Sequence, residues 1–279
     1  MKLKNINTTN MLTVYLVLLV SVFYSLCLQA DMLISPTRIV FNDRERSAQV
    51  ILINTSNETK SYRVGWVQKK ALPDGGYQNL NEQQSADFPI VSNMLRFSPR
   101  QVTLSPGGRQ TVKLGARRPK GLANGEYRSH LKFTALPPPD SVVAAEETSI
   151  RIALMMSYTI PVILRQGPFD YNVTLNTVDV KQSTVKGNPK YQLLINASRS
   201  GISSTFGRIR AYWTPNNNSK EIVAGVLNGV HFFPETSQFN KTINWQLDSH
   251  PPISGKLRIV YEGRKELRGK ILAEKVFNL

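Results

Sequence analysis

From Ser149 to Leu164 every even position is apolar: Ile150, Ile152, Leu154, Met156, Tyr158, Ile160, Val162 and Leu164. Successive strand residues point to opposite faces, so this pattern predicts one long strand carrying an uncharged ridge of large side chains. Its odd positions, Ser149, Arg151, Ala153, Met155, Ser157 and Thr159, are smaller or partly polar, so the two faces meet different surroundings. A ridge of this kind either seals its own core or receives another chain.

Shorter strand signals separated by turn residues fill the rest of the sequence, and no long segment keeps a helical period. Met32 to Phe41, Gln49 to Ile53, Tyr62 to Val67, Met94 to Phe97, Gln101 to Leu104, Arg109 to Leu114 and Glu126 to Ala135 precede the ridge. Pro73-Asp74-Gly75-Gly76 and Ser105-Pro106-Gly107-Gly108 are the clearest reversals among them. About seven strands in this length suit an immunoglobulin-like sandwich. A polar, proline-rich loop from Pro137 to Glu147 separates Ala135 from the ridge, and Arg165-Gln166-Gly167-Pro168 ends it as a short hinge. A second strand set follows: Tyr171 to Val180, Tyr191 to Ala197, Phe206 to Trp213, Glu221 to Leu227, Thr242 to Leu247, Leu257 to Glu262 and Lys270 to Val276. The expected fold is all-β, two immunoglobulin-like β-sandwich domains set at an angle, at residues 31–165 and 166–279.

Residues 1–30 stand apart as an export signal. Lys2 and Lys4 precede an apolar stretch without carboxylates, Met11 to Leu28, and Ala30 offers a small residue for cleavage. Leu28 is bulkier than usual at its position, so an uncleaved anchor is the alternative. Cys27, the single cysteine, follows Leu26 where a lipoprotein signal would want a small residue, and is assigned to the apolar stretch. Disulfides therefore do not hold the mature chain together.

The chain carries 35 basic and 19 acidic residues, a net charge of +16 that falls to +14 when the two signal lysines are removed. A surplus this large points toward anionic partners. Nucleic acid is excluded as the partner, because the basic residues are dispersed, no nucleic-acid motif occurs and the export signal leads away from it. A solvated basic surface is the plainer reading. Catalysis finds no support either. His130, His231 and His250 are scattered without metal spacing, no cysteine survives processing, and no glycine-rich phosphate loop leads from a strand into a helix. No cofactor or metal is expected, and each histidine is assigned to the surface or to packing.

Two arginines lie inside strand patterns: Arg38 in Thr37-Arg38-Ile39-Val40-Phe41 and Arg128 in Glu126-Tyr127-Arg128-Ser129-His130-Leu131. Taken singly, each fits a solvated strand position. Together with ISPTRIVF, LSPGGRQTVKL, EYRSHLKF, the proline-rich loop and IRIALMMSYTIPVILR, in that order, they give Met32 to Arg165 a resemblance to the amino-terminal domain of periplasmic chaperones of the chaperone-usher pilus pathway. The second half agrees with that family in length and strand content only.

The resemblance implies a boomerang of two immunoglobulin-like domains with a subunit-binding cleft between them. The chaperone's last amino-domain strand pairs with the edge of a subunit that lacks its own final strand, the strand addition known for chaperone-pilin complexes. That assigns Ile150, Ile152, Leu154 and Met156 as the donor residues entering the subunit groove. The family also anchors the subunit's terminal carboxylate on basic cleft residues, which fixes strand register. Arg38 matches the first-strand arginine. The best-known branch adds a lysine on the last strand, but Ser157, Thr159 and Pro161 are not basic, which looks more like the archaic branch, where the preceding strand supplies the arginine. Arg128 is then the principal anchor and Arg38 the second. The absence of a cysteine pair argues against the long-loop class with a disulfide there. Expected partners are pilus subunits and an outer-membrane usher, in the periplasm, with self-association of the free chaperone left open. The alternatives are a secreted tandem immunoglobulin-like adhesin or structural module, whose ridge closes its own sandwich, and an exported hydrolase on a β scaffold.

Overall fold

The computed structural model describes residues 31–279 apart from 138–154, 186–187, 216–218, 248–251 and 253. The first sandwich packs a sheet of order β1-β3-β9-β7 on one of order β2-β11-β10-β4-β8. These strands are β1 (Met32–Ser35), β2 (Ile39–Phe41), β3 (Ser47–Asn54), β4 (Lys60–Val67), β7 (Leu95–Ser98), β8 (Gln101–Leu104), β9 (Arg109–Ala116), β10 (Gly125–Ala135) and β11 (Ser157–Gln166). A small hairpin, β5 (Lys69–Ala71) and β6 (Tyr77–Asn79), forms its own two-stranded sheet, followed by the short helix α1 (Glu82–Ala86). Asn81 caps α1 through a reciprocal capping box with Gln84.

The opening stretch, expected as one strand from Met32 to Phe41, is two. β1 pairs antiparallel with β3 in one sheet, and β2 pairs parallel with β11 in the other. The residues between them, Pro36 to Arg38, cross from sheet to sheet. The hairpin and α1 were not legible as elements, although the Pro73-Asp74-Gly75-Gly76 turn that closes the hairpin was. Its arms have only three residues each and no apolar alternation to reveal them.

The core obeys the period of two. Val50 and Leu52 of β3 and Val112 and Leu114 of β9 meet Phe41, Tyr62, Leu131, Phe133, Val162 and Leu164 from the facing sheet. Each fully buried side chain of this kind contributes about 1.5–3 kcal/mol of transfer free energy. The ridge therefore divides. Ile160, Val162 and Leu164 close their own sandwich, and only Met156 among the described ridge residues upstream of Tyr158 faces outward, 47% exposed beside Met155 at 55%. Ile150, Ile152 and Leu154 lie outside the described residues.

The second sandwich packs β12-β13-β16 on β15-β14-β17-β18. Its strands are β12 (Asn172–Val185), β13 (Asn188–Ser200), β14 (Thr205–Thr214), β15 (Ile222–Phe232), β16 (Gln238–Asn244), β17 (Lys256–Gly263) and β18 (Ile271–Asn278). β14 alternates buried and half-buried over all ten residues, because one face enters the core and the other is covered by charged side chains. Ile209, Ala211, Trp213, Leu193, Ile195, Leu257 and Ile259 fill this core, where Trp213 meets Trp245 edge to face at 5.5 Å. Among the described residues no helix is long and apolar enough to cross a membrane.

Candidate functional site

Register determines what the first sandwich turns toward the second. β10 and β11 pair with Glu126 opposite Arg165, Arg128 opposite Ile163, and His130 opposite Pro161. Cross-strand partners share a face, and the intervening pairs, such as Leu131 with Ile160, occupy the core face. Glu126, Arg128, His130, Ile163 and Arg165 therefore stand on the outer face. β2 adds Val40 beside Ile163, and Arg38 precedes it by two residues on the same face. An outer face carrying three arginines would ordinarily be solvated. Here it is not: Arg38, Arg128 and Arg165 are 6%, 3% and 6% exposed, because residues of the second sandwich cover them. The expectation that each strand arginine, taken singly, is solvated fails at this face, and His130, 2% exposed, is a packing residue.

Charge balance makes the burial tolerable. Arg128 donates from Nη1 (3.2 Å) and Nη2 to the two carboxylate oxygens of Glu235, and from Nη2 to the Lys69 carbonyl at 3.2 Å. Glu235 Oε1 also accepts the Ala71 backbone N–H at 2.9 Å. The guanidinium lies over the Phe233 ring at 3.8 Å, with Phe88 at 5.6 Å. This is a two-pronged pair in an aromatic slot, the geometry in which arginine outperforms lysine.

Arg38 and Arg165 belong to a second, shared network. Arg38 donates to Glu266 (3.1 Å), Ser204 Oγ (3.2 Å) and His231 Nδ1 (3.0 Å). Because a guanidinium only donates, His231 Nδ1 must be the acceptor, which places the proton of the neutral ring on Nε2. Arg165 donates to Glu126 (3.2 Å), the Ser204 carbonyl (3.1 Å) and Glu266 (3.4 Å). Glu126 Oε2 in turn accepts the Ser204 N–H and hydroxyl at 2.9 and 2.8 Å. Three guanidiniums thus meet three carboxylates at the seam, Glu235 and Glu266 from the second sandwich and Glu126 from the first.

The cost of burial appears in the ionisation of these groups. Burial pushes the Arg38 guanidinium below its ordinary value, opposed by Glu266 and Glu126. His130 is lowered to about 3 by burial and by the neighbouring Arg128, and His231 to about 3 by burial and by Arg38. Neither ring nitrogen of His130 has a hydrogen-bond partner among the described residues. Its ring meets Tyr77 edge to face at 5.1 Å. Both histidines are neutral at physiological pH.

The hairpin completes the junction as a clasp. Besides the Ala71 contact, the Pro73 carbonyl accepts the Asn240 N–H at 3.1 Å, and the Asp74 carbonyl accepts Lys241 Nζ at 2.6 Å. Gly75, at φ +94°, lets the turn lie against Lys241 with no side chain between them. Beside Arg128 and Glu235 lies a cavity of about 310 Å³ lined also by Lys70, Phe88, Pro89 and Pro234.

Arg38 and Arg128 are therefore in one buried seam, about which the sequence offered the right residues but not their partners. Glu235, Glu266, Ser204, His231 and Phe233 were missed, as were Glu126 and Arg165 in their pairing role. Glu235 sits in a connection after β15 with no motif around it, and nothing local marks it. Arg165 was visible at the hinge, and its cross-strand pairing with Glu126 needed the register. Among the described residues no group of three or more histidines, cysteines or carboxylates is placed to hold a metal.

Residues 31–166 match the family model described as pili and flagellar-assembly chaperone, PapD N-terminal domain. No curated protein matches the sequence. Among solved structures, the YadV chaperone has 12% identity and a TM-score of 0.46, with 90% of this chain and 100% of that chain covered. The Pseudomonas aeruginosa CupB2 chaperone has 12% identity and a TM-score of 0.42, covering 88% and 98%. The Salmonella enterica SafA pilin in complex with the SafB chaperone gives 12%, 0.44, 90% and 97%. The first sandwich together with its last strand, residues 31–166, therefore belongs to the pili and flagellar-assembly chaperone family as its PapD N-terminal domain.

Proposed function

We propose that the mature chain, residues 31–165 and 166–279 following an export signal at 1–30, is a periplasmic chaperone that donates a strand to pilus subunits and passes them to an outer-membrane usher. The observation that carries this reading is the half-open edge of β11. Residues 157–166 pair with β10 on one side, whereas β2 covers only Val162 to Leu164 on the other. Ser157 to Pro161 keep an edge without a strand partner among the described residues, and the exposed Met155 and Met156 lead into it. Unpaired backbone donors and acceptors beside large apolar side chains are what strand addition uses. Pro161 fits such an edge, since it lacks the N–H of an interior ladder position.

In this reading Ile150, Ile152, Leu154 and Met156 enter the subunit groove, and Arg128 and Arg38 receive its terminal carboxylate. Both arginines already hold carboxylates, those of Glu235 and Glu266, the same chemical group a chain terminus would bring. The lack of a basic residue at Ser157, Thr159 or Pro161 supports the archaic branch.

Coexpression with a pilus subunit tests the donor role. Ile152→Asp, Leu154→Asp and Met156→Asp should each reduce the subunit recovered with the chaperone, because a carboxylate entering an apolar groove costs several kcal/mol or must take up a proton. Undiminished copurification of all three would overturn the strand assignment.

A further inference from the structure

The Arg128 pair differs from the neighbouring network in a way that bears on ligand entry. Glu266 is shared between Arg38 and Arg165, and Glu126 is held by Arg165 and twice by Ser204. Each of these carboxylates thus ties two side chains together. Glu235 serves a single guanidinium and one backbone N–H, and it comes from the connection between β15 and β16 rather than from a strand. It also borders the cavity of about 310 Å³, next to the exposed Lys70.

We propose that Arg128 and the Ala71 N–H form a carboxylate-binding cradle whose resident occupant is Glu235, and that the free α-carboxylate of an incoming chain displaces Glu235. This rests on the reading of Arg128 as an anchor and adds its competitor. The two prongs of Arg128 and the amide of Ala71 supply three donors converging on one carboxylate, and Phe233 and Phe88 wall the guanidinium. A chain end entering from the cavity brings an equivalent group, so the exchange conserves charge at Arg128. Releasing Glu235 also breaks its link to the Ala71 N–H, one of the clasp's ties to the second sandwich. Binding is thereby coupled to loosening of the hairpin. An internal occupant lowers apparent affinity by the fraction of time that it fills the site. The free chaperone would thus keep its anchor satisfied and discriminate against weak ligands.

The test uses the mature chain and the synthetic peptide acetyl-Ser-Val-Thr-Val-Ser-Val-Thr-Val, as the free acid and as the C-terminal amide, with binding followed by titration calorimetry. Glu235→Gln should strengthen binding of the acid by about tenfold or more and leave the amide unchanged. Glu235→Asp, which retains the charge but shortens its reach, guards against a folding defect and should give an intermediate gain. If Arg128→Met abolishes the preference for acid over amide while both Glu235 variants leave acid affinity unchanged or weaker, the displacement idea is overturned and the anchor reading stands. If the preference survives Arg128→Met, the anchor reading falls and the proposal with it. Failure of the acid to bind parent and variants alike would also overturn the proposal.

Discussion

Phe233 is a buried side chain through which the two sandwiches touch, and truncating it should weaken the whole molecule. It is 2% exposed, packs with Ile163 and Ala71, stacks on His231 at 5.4 Å and supports the Arg128 guanidinium at 3.8 Å. Phe233→Ala removes a buried ring and leaves a cavity, at a cost of about 3–5 kcal/mol. Phe233→Leu keeps most of the apolar volume but loses the π face, which for a desolvated guanidinium is worth about 2 kcal/mol. The difference between the two variants therefore separates packing from the cation–π contact. Urea unfolding followed by tryptophan fluorescence provides the measurement, since Trp66 reports the first sandwich and Trp213 and Trp245 the second. The Ala variant is expected to resolve into two transitions as the seam loosens, and the Leu variant to keep one transition at lower midpoint. Parent-like stability of Phe233→Leu would refute the assignment of the ring as a support for Arg128. A parent-like Phe233→Ala would refute the seam itself.

Exchanging the charges at the same place gives a second test: Arg128→Glu alone sets two carboxylates against each other and should cost about 3–5 kcal/mol, as breaking a buried pair does. Adding Glu235→Arg should recover much of that stability in denaturant unfolding without restoring subunit capture, since a cation then lies on the wrong side of the seam. The structure shows why the single reversal is a poor probe of binding by itself. Acid sensitivity follows from the histidines. Their folded values of about 3 lie below the unfolded value near 6.5, so the neutral forms contribute stability that is complete above pH 6.5 and is lost as pH falls toward 3. Each adds up to about 1.4 kcal/mol per pH unit to the slope within that window. His130→Phe should flatten the stability profile between pH 6.5 and 4 in urea unfolding, and an unchanged slope would exclude its buried neutral state.

Much of the fold could be read from alternation, because both sandwiches bury one face of most strands and expose or charge the other. β8 spans the expected Gln101–Leu104, and β10 differs from expectation by one residue at its start. What escaped had no period to betray it: the three-residue arms of the clasp, α1, and the break of the first strand into two sheets. The candidate site was half visible. Arg38 and Arg128 stood out as strand arginines, but their burial depends on an opposing surface supplied by residues 203–267, which no local signal connects to them. The ridge's even pattern concealed a division. Alternation says that side chains share a face and is silent on where along the strand one partner ends and another begins, so the change near Tyr158 from solvent to core left no trace in the pattern.

The crossing at Pro36 to Arg38 has a mechanical consequence. A covalent thread joins the two layers of the first sandwich, and Arg38 sits where it arrives. Sliding of one layer over the other must stretch main chain rather than merely repack methyl groups. A nick in that thread would leave every ladder in place yet unfasten the guanidinium from its frame, so limited proteolysis there should blunt recognition well before it unfolds the molecule.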